Sequence, residues 1–212
     1  MKRTVLAAIM LICLHLVPNN TNAQPIPVEF MAGNRYASVN VVVIKNFSET
    51  SRFGFFHLNS LTMHYNDKTK DDLALQNLLF FEFMKNVRLT GGAFYASVPG
   101  FSPTAGMQYI NAGKKWFILF APRVNIENDP SFNVFSIIRF RTKISEHTRL
   151  YTSLQALNIF DVHGHIKSYQ WFRAGIESQG FQFGLGANFD EFGVEPKLST
   201  NFGVFIRKEI FH

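Results

Sequence analysis

Residues 180 to 193 read GFQFGLGANFDEFG, and this stretch constrains the fold more than any other. From Phe181 to Phe189 every odd position is apolar, while the even positions between them are Gln, Gly, Gly and Asn. A repeat of two places alternate side chains on opposite faces of an extended chain, so this is a β-strand with one apolar and one polar face. A helix would need apolar residues three and four apart. What has to be decided is whether the Phe row faces a protein core or lipid.

The same alternation recurs along the chain. In ASVNVVVIKNF, Val39, Val41 and Val43 oppose Ser38 and Asn40. In DDLALQNLLFFEFM, Leu73, Leu75, Leu79, Phe81 and Phe83 oppose Ala74, Gln76 and Glu82, which favours strand over helix. Beyond residue 24 no run approaches the about 18 apolar residues of a membrane-crossing helix. Turn-forming segments mark out eleven clear strands from Ala37 onward, and PVEFMA supplies a short first one. The expected architecture is all-β: an antiparallel up-and-down transmembrane barrel of about twelve strands, with ten as the alternative if one hairpin is miscounted. Twelve also satisfies the even count that puts both ends on one side of a membrane.

Charge decides which face is inside. Over residues 132 to 144 the even set Phe132, Val134, Ile138, Phe140 and Ile144 is apolar, and the odd set includes Asn133, Arg139, Arg141 and Lys143. An Arg or Lys on the lipid face of a barrel costs about 2–4 kcal/mol at mid-depth. The charged rows therefore point inward and the Phe rows outward, so that Gln182, Gly184, Gly186 and Asn188 line the interior. The composition agrees, because 24 Phe and 15% aromatic content among Gly, Asn, Ser and Thr suit strands with lipid on one side and water on the other. Loop lengths point the same way. KNV, NAGKK, SEH and ESQG are short, while NDKTKDD, PGFSP, NIENDPS, DVHGH and DEFGVEPK are generally longer. A barrel with tight turns at one rim and longer loops at the other produces this alternation.

The N-terminus indicates export. Lys2 and Arg3 precede the apolar TVLAAIMLICLHLV, and Thr21 and Ala23 occupy the −3 and −1 positions of a cut before Gln24. This is the layout of a secretory signal peptide over residues 1–23, followed by one barrel domain over 24–212. Cys13 is the only cysteine and leaves with that segment, so the expected mature chain has no disulfide, thiolate-bound metal or cysteine nucleophile. The formal charge of +6 falls by two on cleavage, a mild excess that calls for no nucleic-acid partner.

With export signal, alternation and loop asymmetry established, the chain resembles small Gram-negative outer-membrane β-barrel proteins. The NAQ at the cleavage point and the last strand NFGVFIRKEIF are similar to those of Bacteroidota. The resemblance implies an outer-membrane location and lipid as the surrounding partner. The usual terminal signature ends on an aromatic residue in register with the apolar face. Here His212 is last, and Phe211 falls in register with Arg207 and Glu209.

Two classes of function remain. The first is a non-enzymatic barrel, either a narrow channel or a structural, partner-binding membrane component. Its lumen would be lined by Arg88, Arg139, Arg141, Lys143, Arg149, Tyr151 and Arg173, outnumbering inward acids such as Glu82 and Glu177, so an open lumen would favour anions. The second is a lipid-modifying enzyme of lipase or deacylase type at the outer rim. HGHIKS offers His163, His165 and Ser168 as base and nucleophile, although the spacing is not the His-x-Ser of known barrel acyl hydrolases. Asp161 with His163, and Asp190 with Glu191, are weaker acid–base pairs. Two imidazoles without a third ligand make no metal site, and no cofactor is expected. A soluble periplasmic barrel would require the Phe rows to form a core.

Overall fold

The computed structural model describes residues 26–97, 100–127 and 129–210. The expected signal segment and the terminal Phe211 and His212 lie outside the described residues. Twelve strands follow one another: β1 (Ile26–Gly33), β2 (Tyr36–Asn46), β3 (Phe53–His64), β4 (Asp72–Met84), β5 (Val87–Ala96), β6 (Phe101–Ala112), β7 (Trp116–Asn125), β8 (Ser131–Lys143), β9 (Thr148–Asp161), β10 (Gly164–Ser178), β11 (Phe181–Phe192) and β12 (Lys197–Ile210). Each pairs antiparallel with its chain neighbours, and β1 pairs with β12 to close the barrel. PVEFMA does supply the first strand, and the count is twelve. No described helix is long and apolar enough to cross a membrane, which says nothing about crossing by strands.

The alternation sets the faces. On β11, Phe181, Phe183 and Leu185 are exposed while Gln182, Asn188 and Asp190 are buried inside. On β8, Phe132 and Ile138 point out, and Asn133, Phe135 and Ile137 point in. Exposed aromatics gather near both rims: Tyr95, Phe101, Phe132 and Phe160 at one, and Phe53, Trp116 and Phe181 at the other. An apolar band between two aromatic girdles is the exterior that a bilayer requires of a barrel.

The first and last described residues, Ile26 and Ile210, lie at one rim, called here the terminal rim, and the opposite one is the far rim. The loop asymmetry is milder than the sequence implies. The longest turn at the terminal rim, residues 47–52, has six residues and is tied down by Arg52, whose guanidinium donates to the carbonyls of Glu82 and Phe83. At the far rim DVHGH contracts to a two-residue turn, because Asp161 accepts from the backbone N–H groups of His163 and Gly164, and β10 starts at Gly164.

The β1–β12 seam is locked by a side chain. Asn201 on β12 reaches across Gly33 to accept from the N–H groups of Arg35 and Tyr36 at 2.9 and 3.3 Å, and it donates to the Tyr36 carbonyl at 3.2 Å. A Cβ on Gly33 would sit 2.2 Å from that amide, so only glycine leaves the passage open. Gly186 has the corresponding use in the lumen wall, where a Cβ would come within 3.0 Å of the Met31 side chain and 3.3 Å of Arg173.

Candidate functional site: a divided lumen

The interior has a greasy half and a polar half at mid-height. From β2 round to β10 the inward positions are filled by Val42, Phe56, Leu58, Leu119, Phe135 and Ile137, among others, packed into one cluster. Phe56 and Phe135 meet edge to face with ring centroids 6.4 Å apart. Burying each such side chain is worth about 1.5–3 kcal/mol, so this belt is a packed core as well as a barrier. Sequence alternation does not reveal it, because VFSII within β8 and FGFFHL are apolar on both faces, and the period-two signal is interrupted there.

The remaining wall, from β10 through β12 to β2, is mostly polar, and its buried charged groups are hydrogen-bonded. Arg173 donates to Glu29 at 2.7 Å and to the Asn188 carbonyl oxygen at 2.7 Å. The Asn188 amide donates to the Tyr36 hydroxyl, which donates to Asp190 at 2.6 Å, and the Trp171 indole N–H donates to the same carboxylate at 3.0 Å. Buried charges are tolerated when they are paired and hydrogen-bonded in this way. Belt and polar wall together separate two cavities.

The terminal-end cavity, about 390 Å³, is basic: Arg88, Arg139, Arg141, Arg149 and Arg207 line it together with Lys114 and Lys115, against Glu209. Arg88 pairs with Glu82 at 3.1 Å and lies over the Phe80 ring at 4.0 Å. Arg141 pairs with Glu209 and with Glu177, the latter also holding Arg149 at 3.4 Å. Arg139 stacks on Phe117 and has no ion-pair partner among the described residues. Of the other residues singled out from the sequence, Tyr151 is fully buried against Phe205 and accepts from Arg207, and Arg173 sits in the polar wall. Lys143 has inward register, but it lies at the very end of β8 and is exposed at the rim, outside the cavity lining.

The far-end cavity, about 320 Å³, is mixed in charge. Its walls include Tyr36, Gln76, Arg123, Tyr169, Trp171 and Asp190. Of these, sequence reasoning singled out only Asp190, and that as an acid partner of Glu191. Arg123 follows Pro122 in what reads as a greasy run, and Tyr169 and Trp171 differ from lipid-girdle aromatics only in register.

His163 and His165 lie outside both cavities. His163 is in the exposed turn. A β-bulge between His165 and Lys167 brings His165 and Ser168, three apart, onto the same outward face, where strict alternation would separate them. His165 Nε2 is 2.5 Å from Ser168 Oγ, and Nδ1 is 2.8 Å from the Gly193 carbonyl oxygen. A carbonyl can only accept, so Nδ1 carries the proton and the Ser168 hydroxyl donates to Nε2. Ser168 is only 4% exposed, and the group that orients the imidazole is a carbonyl, not a carboxylate. Asp190 points in and Glu191 out, so they form no acid pair, and Asp161 is spent on its own turn. Among the described residues no three His, Cys, Asp or Glu side chains are grouped to hold a metal ion.

No family model and no curated protein matches the chain. Among solved structures, the NanC porin superposes with a TM-score of 0.52 at 8% identity, covering 89% of this chain and 100% of its own. The fold is porin-like. The KdgM porin in complex with disordered oligogalacturonate gives 0.48 at 7% identity over 87% of this chain and 98% of its own. LpxR from Salmonella typhimurium gives 0.43 at 7% identity over 87% and 99%. At those scores the last two likenesses bear on nothing further.

Proposed function

We propose that this chain, exported by residues 1–23, is an outer-membrane barrel acting as a narrow channel whose lumen is shut by the apolar belt and whose terminal-end vestibule favours anions. The observation that carries the reading is the division of a lipid-girdled, porin-like barrel into two compartments of about 320 and 390 Å³ by a belt centred on Phe56 and Phe135. Hydrophobic constrictions gate by excluding water, and rings of Arg and Lys select anions. The polar wall beside the belt supplies the hydrogen-bonding route that an opened lumen would use.

The test is conductance of residues 24–212 in planar bilayers under a potassium chloride gradient. The wild type is expected to conduct rarely. Phe56→Ala with Phe135→Ala should raise conductance, with a reversal potential displaced toward chloride. Adding Arg139→Ala and Arg141→Ala should reduce that displacement. A doubly truncated belt that stays silent in a folded barrel would overturn the channel reading and leave the structural, partner-binding one.

A second reading is favoured by one observation, the Ser168–His165 hydrogen bond on the lipid-facing side of the far rim. That geometry matches a serine nucleophile and base for acyl-ester hydrolysis at a membrane surface. Loss of lipid hydrolysis in Ser168→Ala would support it. Absence of hydrolysis by the folded wild-type protein on phospholipid and lipopolysaccharide substrates would remove it.

A further inference from the structure

The far-end cavity contains a charge with nothing to answer it. Arg123 on β7 is only 6% exposed. Its Nη1 donates to the Gln76 side-chain oxygen at 2.5 Å, and the guanidinium lies 5.1 Å from the Phe94 ring centroid. It has no ion-pair partner among the described residues, whereas Arg173 and Arg207, equally buried in the same lumen, have Glu29 and Glu209. A buried cation without an anion is costly, and proteins retain one where something supplies the missing charge.

Hydrogen-bonding gaps lie around the same charge. Arg123 Nε and Gln76 Nε2 lack acceptors, and Asn125 Oδ1 lacks a donor. All three residues line the cavity. Buried polar groups are paired in the great majority of cases, so these unpaired atoms mark a wall whose polar groups are incompletely met by the protein itself. Tyr169 and Trp171, which also line the cavity, stack on each other with centroids 4.6 Å apart and an interplanar angle of 23°, so a rigid aromatic pair bounds it. Phe135 and Leu58 form the floor.

We infer that this cavity is a binding site for a small monocarboxylate with a flat, apolar body and a hydrogen-bond donor at its other end. The carboxylate accepts from Arg123 and Gln76, the body lies along Tyr169 and Trp171, and the donor reaches Asn125. Size and charge set the class. At about 30 Å³ per water in the liquid, the cavity holds about ten waters, which suits a ligand of about ten to fifteen non-hydrogen atoms. Glu127, Asp129 and Asp161 line the mouth against Lys70, while Lys167 is already paired with Asp72. Those acids repel multiply charged anions and pass a single charge. The site lies on the far side of the belt, so it stands whether or not the barrel conducts.

The experiment uses Trp171 as reporter. The chain has two tryptophans, and Trp116 sits exposed at the opposite rim, so Trp116→Phe leaves one indole, in the cavity wall. The barrel in lipid nanodiscs is titrated with 4-hydroxybenzoate, its neutral analogue 4-hydroxybenzamide, and inorganic phosphate. Saturable quenching by the carboxylate is expected, at least ten-fold tighter than by the amide or phosphate, and weakened at least ten-fold in Arg123→Met. Equal response to carboxylate and amide, an unchanged Kd in Arg123→Met, or no saturable response overturns the proposal. Phosphate binding as tightly as the carboxylate overturns the ligand class. Heat-modifiable gel mobility shows whether Arg123→Met folds. If it does not, the comparison of ligands on the Trp116→Phe protein and on a Gln76→Leu variant decides alone, because conductance plays no part in the readout.

Discussion

Two phenylalanines three residues apart on one strand test the assignment of faces. Phe132 and Phe135 both sit on β8, yet Phe132 is 48% exposed on the outside and Phe135 is 1% exposed inside the belt. Truncating either to Ala removes the same atoms from an apolar environment, a transfer term of about 2 kcal/mol. The difference lies in what fills the space. Lipid chains close over a missing outward ring, whereas the packed belt cannot collapse fully. A residual cavity of about 80 Å³ at about 24 cal/mol per Å³ adds about 2 kcal/mol. Losing the edge-to-face contact with Phe56 adds about 0.5–1.5 kcal/mol more. Phe135→Ala should therefore cost about 4.5–5.5 kcal/mol and Phe132→Ala about 2 kcal/mol. The assay is equilibrium urea unfolding of the refolded barrel in lipid vesicles, followed by tryptophan fluorescence and by the mobility difference between unboiled and boiled samples. Equal losses would refute the packed belt, and a larger loss for Phe132→Ala would mean that the outward row is the core.

Glu29→Ala should cost about 3–5 kcal/mol in the same assay because it strands Arg173 without its carboxylate, whereas Arg149→Ala, half exposed, should cost less than about 1 kcal/mol. Gly33→Ala should lower the unfolding midpoint and release the Arg35 and Tyr36 amides to hydrogen exchange, since the added methyl displaces Asn201; unchanged protection would refute the seam lock. At the far rim, the Thr69 hydroxyl and then Lys70 hold the Asp67 carboxyl down to about 2. Its folded value is below its unfolded one, so the turn stabilisation it provides is complete above the ordinary carboxylate range and disappears as pH falls through about 2. A carboxyl carbon NMR titration of Asp67 with an ordinary midpoint would refute that contact.

The legible and illegible parts of the sequence divide along physical lines. Where one face is apolar and the other polar, as in residues 181 to 189, register follows from alternation alone, and the inward rows of Arg139, Arg141, Arg173 and Arg207 could be read directly. Alternation fails where lumen and lipid are both apolar, which is why Phe56, Phe135 and Ile137 escaped notice. It also fails at bulges: nothing in HGHIKS announces that one extra residue brings His165 and Ser168 to the same face. The far-end cavity is illegible for a third reason. Gln76, Arg123 and Trp171 come from strands distant in the chain, and only barrel closure sets them facing one another.

That closure orders assembly in time. Eleven of the twelve strand pairings join neighbours across turns of a few residues, and the twelfth brings Ile26 to Ile210. The entropy of closing a loop rises with its length, so the hairpins form ahead of the last pairing, and much of the apolar belt can gather on a sheet that is still open. Such a sheet has two free edges, β1 and β12, whose backbone donors and acceptors are a template for any other strand. Until Ile26 meets Ile210, a foreign strand that can pair with either edge competes directly with the chain's own end.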